Sequence, residues 1–140
     1  MTAFVGEAFV WPVRVYWEDT DAGGVVYYAN YLKFMERART EWLRAMGVEQ
    51  GPLQEQHGVL LVIAQIEAKY RRPARYADLL QVTCCISELG KASICFEQRV
   101  YRDQVGGELL LDGKARVGCI DAMSFKPKAL PKIIVGSLTE

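Results

Sequence analysis

The feature that most limits how this chain can fold is a helical pattern over residues 30–46. Tyr31, Met35, Ala38, Trp42 and Ala45 make one apolar stripe, and Leu32, Phe34, Leu43 and Met46 widen it. Polar residues fill the opposite side, with Arg37 and Glu41 at a supporting i,i+4 spacing. Asn30 reads as the N-cap and Gly47 as the C′ stop. Such a helix is about 25 Å long. So broad an apolar surface needs a broad cover, and a sheet is the natural one.

The rest of the pattern supplies that sheet. Residues 8–17 read as a first strand, in which Pro12 marks an edge position or a bulge. Residues 48–58 are a polar connection carrying Pro52, His57 and Gly58. Residues 59–71 begin fully apolar, then alternate Ile66, Ala68 and Tyr70 against polar neighbours. Residues 79–88 put Leu80, Val82, Cys84 and Ile86 on one face. Residues 92–102 do the same with Ile94, Phe96 and Val100, and residues 108–122 with Leu111, Ala115, Val117 and Cys119. Gly90-Lys91 and Gly106-Gly107 read as turns, and the tail 123–140, with Pro127 and Pro131, as irregular. Strand, long helix, then clustered strands predict one α+β domain over residues 1–140, with an antiparallel sheet wrapped around a central helix.

Composition removes several function classes. The 140 residues, 51 % of them hydrophobic, suffice for one real core. The net charge of zero argues against a nucleic-acid partner. Residues 1–7 lack the basic start and apolar run of a signal peptide, and no apolar stretch is long enough to insert stably in a membrane. The expectation is a soluble, cytoplasmic protein. Cys84, Cys85, Cys95 and Cys119 form no C-x-x-C pair, and His57 is the single histidine, so neither a zinc site nor a catalytic thiol is expected.

The chemistry concentrates in Val15 to Tyr31. A strand-like segment breaks at Glu18, Asp19 and Asp21; Gly23 and Gly24 follow, then a tyrosine-rich run into the helix start. Glycines let the backbone approach a ligand closely. The first amides of a helix are unpaired and can hold an anion. One stretch thus offers a carboxylate beside an oxyanion cradle. A purely structural D-x-D-x-G-G turn fits the same residues. A calcium loop does not, because it needs an oxygen ligand at its fifth position and Glu at its twelfth, where Gly23 and Asn30 stand.

The run Tyr16-Trp17-Glu18-Asp19-Thr20-Asp21-Ala22-Gly23-Gly24-Val25-Val26-Tyr27, followed by Asn30-Tyr31 and Glu36-Arg37-Ala38-Arg39-Thr40-Glu41, resembles the hotdog-fold thioesterases of the 4-hydroxybenzoyl-CoA type. Within them it is most similar to the Tol-Pal-associated acyl-CoA thioesterase branch. The similarity extends to Trp11-Pro12-Val13-Arg14-Val15 and to Lys126-Pro127-Lys128-Ala129-Leu130-Pro131-Lys132. The resemblance implies a hotdog fold, a homo-dimer or tetramer with sites at a subunit interface, and hydrolysis of acyl-CoA without a metal or other cofactor. Acyl carrier protein is the alternative carrier. It places the catalytic carboxylate on Asp21 and the oxyanion donor on the backbone near Tyr28, where close relatives often carry His. Gly24, Val25, Tyr27 and Tyr31 become substrate-binding residues, and Lys91 the CoA-phosphate contact, with Arg71, Arg72 and Arg75 as rivals. A hotdog dehydratase and a non-catalytic acyl-thioester or protein-binding module are the competing functions.

Overall fold

The computed structural model describes residues 8–138. The reading of residues 1–7, and the last two residues of the expected domain, lie outside the described residues. The elements are β1 (Phe9–Arg14), α1 (Asn30–Ala45), α2 (Gln50–His57), β2 (Val59–Tyr70), β3 (Leu79–Leu89), β4 (Ser93–Arg102), β5 (Glu108–Asp121) and α3 (Lys132–Leu138). A single 3-10 turn occupies Trp17–Asp19. The five strands form one antiparallel sheet in the order β1-β3-β4-β5-β2. This is the α+β hotdog architecture.

The alternating faces of β3, β4 and β5 are buried as their periodicity predicts, whereas on β2 Ile66 and Ala68 are half-buried and Tyr70 is exposed. Leu80, Val82, Cys84, Ile86, Ile94, Phe96, Val100, Leu111, Ala115, Val117 and Cys119 all lie in the core. Against them pack Tyr31, Phe34, Met35, Ala38, Trp42 and Leu43 of α1. Trp42 meets Phe96 edge to face, with ring centroids 5.0 Å apart. Pro12 sits on β1, an edge strand, where its missing N–H leaves no ladder bond broken.

Several boundaries differ from the sequence reading. β1 stops at Arg14, because the chain then folds into the 3-10 turn. Ala29, not Asn30, is the N-cap of α1; Asn30 is its first residue, and Asn30 Nδ2 donates to Asp19 O at 2.9 Å. Ala45 is exposed and leaves the apolar stripe, while Met46, the C-cap, is half-buried against the core. Part of the polar connection is helical, as α2. Its Gly51 and Pro52 fall in the first turn, where a missing N–H is tolerated, and Leu53 anchors it in the core. Gly58 ends it at φ +65°. The irregular tail contains α3, which follows Pro131 and buries Ile134.

The sheet has two ends. At one end lie Arg14, Leu79, Arg102 and Tyr70, together with the N-terminus of α1; at the other lie Phe9, Leu89, Ser93 and Val59. β2 and β3 are not neighbours, so residues 71–78 must cross at the first end, beside the start of α1. That crossing is fixed by several bonds. Val26 N donates to Ala74 O at 2.8 Å, and Ala74 N donates to the Tyr31 hydroxyl oxygen at 2.9 Å. Arg102 ion-pairs with Asp78 and donates to Pro73 O. Trp17 stacks on Tyr76 with centroids 4.1 Å apart.

Two stability predictions follow from this packing. Tyr31→Phe leaves the buried Ala74 N–H without an acceptor and should cost about 1–3 kcal/mol in a denaturant titration; an unchanged midpoint would contradict the role given to this bond. A Cβ on Gly113 would lie 3.0 Å from both Glu67 O and Met35 Cε, whereas one on Gly118 would lie 3.9 Å from its nearest neighbour, Val62 O. Gly113→Ala should therefore destabilise by ~1–3 kcal/mol and Gly118→Ala should be close to neutral; equal midpoints for the two variants would refute the packing argument.

Candidate active site

Residues 18–28 fold back on themselves at the first end of the sheet. Thr20 pairs antiparallel with Val26. Asp21 N donates to Val25 O and Tyr27 N to Asp19 O, both at 2.9 Å. Ala22, Gly23 and Gly24 form the tip. Gly24 takes φ +80° and donates its N–H to Asp21 O at 3.0 Å. A Cβ on Gly23 would sit 3.2 Å from Asp21 Oδ1, a tight contact with the carboxylate.

Asp21 is exposed. Its Oδ1 accepts the Gly23 N–H at 2.8 Å, and its Oδ2 has no partner among the described residues. Asp19 is spent on structure. Its Oδ2 accepts the Tyr16 N–H at 2.8 Å, and its carbonyl receives both Tyr27 N and Asn30 Nδ2. The acidic turn is thereby tied to the first residue of α1.

The Tyr28 amide, like that of Ala29, meets no acceptor among the described residues. It precedes α1, whose dipole adds partial positive charge at that end. The Tyr28 carbonyl accepts the Tyr70 hydroxyl at 2.7 Å, which holds this peptide from β2. The Tyr28 side chain is 63 % exposed, with its ring 4.9 Å from Tyr27 and 6.5 Å from Tyr70. Val25 pairs with Arg75 of the crossing segment. Along this turn Asp21, Gly24, Tyr27 and Tyr28 are exposed and Val25 is half-buried. Tyr31 is set apart from them. It is buried, its hydroxyl is taken by Ala74, and burial pushes its phenol up from the usual tyrosine value.

Lys91 lies elsewhere. It follows β3 at the second end of the sheet, and β3 has 11 residues, roughly 35 Å of strand. His57, exposed at the end of α2, is also at that second end. Arg71 and Arg72 flank an open recess but are paired, Arg71 with Asp112 at 3.9 Å and Arg72 with Glu108 at 3.5 Å. Arg75 has no ion pair among the described residues and neighbours Val25. The four cysteines are free, and burial pushes the Cys84 thiol up, away from the thiolate form. Tyr70 had no local signal: it is 42 residues from the carbonyl it holds.

A cavity of about 180 Å³ lies along α1 where β2, β4 and β5 face it. Its walls include Leu43, Ile63, Phe96 and Val117, with Arg39 among them.

Residues 15–137 match the family model described as the thioesterase-like superfamily. The chain is 42 % identical over 132 residues to the "acyl-CoA thioester hydrolase YbgC" of Escherichia coli O6:H1, covering 94 % of this chain and 96 % of that one. It is 45 % identical over 124 residues to the "acyl-CoA thioesterase YbgC" of Haemophilus influenzae, covering 89 % of each. The crystal structure of a 1,4-dihydroxy-2-naphthoyl-CoA thioesterase from Synechocystis superposes with a TM-score of 0.87 at 22 % identity, covering 95 % and 96 % of the two chains, a likeness of fold. No helix among the described residues is long and apolar enough to cross a membrane. The hotdog sheet and the sequence match agree: the chain belongs to the thioesterase-like superfamily and is a thioester hydrolase.

Proposed function

We propose that this enzyme is an acyl-CoA thioesterase, of the 4-hydroxybenzoyl-CoA type and nearest to the Tol-Pal-associated branch, that cleaves an acyl-CoA to the free acid and CoA. The observation that carries the reading is the Tyr28 amide, free of acceptors among the described residues and held by Tyr70 at the mouth of α1. A thioester carbonyl gains negative charge on attack, and one preorganised donor aimed at that oxygen is worth about 3–4 kcal/mol. Asp21 supplies the other half. Either its free Oδ2 attacks the carbonyl carbon, expelling the CoA thiolate and leaving a mixed anhydride that water cleaves, or it takes the proton of a water that attacks directly. The Tyr28 phenol, exposed beside the same amide, is a second donor. Arg75, unpaired and next to Val25, is well placed for a CoA phosphate. Lys91, at the far end of the sheet, can serve only the site of a second copy.

A closed homo-oligomer gives that second copy. β2 is an edge strand of 12 residues with Val62 and Ile63 exposed on it, and such an edge is a template for pairing. The YbgC relatives bear acyl-CoA in their names, which favours CoA over acyl carrier protein as the carrier. A dehydratase would need a histidine beside the carboxylate, and His57 lies at the wrong end. One observation favours a turn role for Asp21 instead: its bond to the Gly23 N–H.

Asp21→Asn separates the two roles, because an amide oxygen keeps the Gly23 bond and loses basicity and nucleophilicity. The folded variant should lose on the order of 10²-fold or more in kcat, with Asp19→Asn much less affected per folded molecule. A folded Asp21→Asn enzyme keeping more than about a third of wild-type kcat has lost under ~1 kcal/mol of barrier stabilisation, and the catalytic assignment then fails. Light scattering at micromolar concentration should give at least a dimer; a monomer mass refutes the shared site.

A further inference from the structure

Arg39 stands on α1 with 7 % of its surface exposed, one turn from both Met35 and Leu43 and so within the apolar side of the helix. Its Nη1 donates to Gln98 Oε1 at 2.9 Å, and Gln98 Nε2 donates onward to Met35 O at 3.0 Å. Gln98 is itself fully buried on β4. This strut satisfies one of the five N–H donors a guanidinium carries. No carboxylate among the described residues lies within ion-pair distance of Arg39. The nearest negative charge on the same wall, Glu36, is exposed and accepts the Thr40 hydroxyl at 3.1 Å. A buried cation whose one hydrogen-bond partner is neutral, with Glu36 acting on it only from beyond ion-pair distance, is an expensive arrangement, and burial works against its charge.

The remaining Arg39 donors are not sealed in the protein. Among the described residues the one fully buried side-chain polar atom without a partner is Trp42 Nε1. Arg39 is instead among the residues that line the 180 Å³ cavity, whose walls are otherwise mostly apolar, with Glu36, Thr40 and Gln50 as the remaining polar members. Arg39 and Glu36 are its charged members, and a mostly apolar pocket with a few convergent polar groups is how a protein selects the end of a ligand. The cavity is also on the right element. Arg39 is eleven residues past Tyr28, about 16 Å of helix rise from the amide proposed to hold the thioester oxygen.

We infer that this cavity receives the far end of the acyl group and that Arg39 selects acyl chains ending in a carboxylate over those ending in a methyl group. The inference rests on the thioesterase reading above and adds a substrate class to it. The apolar walls take the methylene chain. The terminal carboxylate supplies the direct ion pair Arg39 lacks, through the charge-assisted bonds for which guanidinium geometry is suited. Gln98 and Met35 hold the guanidinium in place before the ligand arrives.

The test uses full-length enzyme and two matched ligands, decanoyl-CoA and its counterpart carrying a carboxyl at the far carbon, each also as a non-cleavable thioether. Calorimetry on the thioethers reads binding without turnover. The carboxyl-ended thioether should bind at least about tenfold more tightly, ~1.4 kcal/mol, and kcat/KM for the matching esters should follow. In Arg39→Met the preference should vanish or reverse, and in Arg39→Lys it should survive in part. If Arg39→Met does not fold, Arg39→Lys and the wild-type ratio still decide. Equal binding of the two thioethers by the wild type, or an undiminished preference in a folded Arg39→Met protein, overturns the inference. Failure to hydrolyse either ester, with the binding preference intact, overturns the thioesterase reading and leaves Arg39 as the selector of the ligand's end.

Discussion

The hydrogen bond from Ala74 N to the Tyr31 hydroxyl holds together what would otherwise be three separate features. It fixes the segment that carries the chain from one edge of the sheet to the strand beside the other edge. It also sets where that segment meets the start of α1. Val26 N and Ala74 O extend the contact to the acidic turn. The helix N-terminus, the crossing and the turn are therefore one rigid corner. The Tyr70 hydroxyl on the Tyr28 carbonyl and the Asn30 side-chain amide on the Asp19 carbonyl add to that hold. The corner is built from a buried phenol and backbone groups, which satisfy one another away from water.

The long helix and the strand faces were legible because burial imposes periods on a sequence, and Trp42, Phe96 and Leu111 sit where those periods put them. The short helices were not. α2 holds Gly51 and Pro52, residues that mark loops, and one apolar anchor, Leu53, is too little to show a period. Asn30 has the chemistry of a cap, but its amide is drawn away to Asp19 O by a contact across the turn. The site divides in the same way. Asp21, Gly24 and Tyr28 lie in one continuous run and could be singled out together. Tyr70 and Gln98 act at 42 and 59 residues' distance, through a carbonyl and a guanidinium respectively, and no spacing rule connects them.

Two kinds of polar placement coexist in the molecule. At the acidic turn the charges are open to water, and local backbone bonds give them shape. Along α1 the reverse holds: Arg39 is enclosed and is oriented by a neutral amide rather than an acid. A carboxylate in place of Gln98 would satisfy Arg39 internally and close it to any ligand. The neutral amide fixes direction while leaving the charge unspent, an arrangement suited to specificity rather than stability.

The sheet order carries a consequence for how the chain reaches its fold. β5 is the last strand made, yet it stands between β4 and β2, and it is the only strand that β2 pairs with. Val59 must wait for Asp121, as Phe9 waits for Cys84. Local helix formation gives α1 early, but its apolar stripe has no complete cover until β5 is available. Such non-local closure places folding in the slow range of small domains. During synthesis the emerging chain therefore holds an exposed helix stripe and an unpaired apolar strand at once, the combination most exposed to mis-association, and that interval ends only when β5 leaves the ribosome.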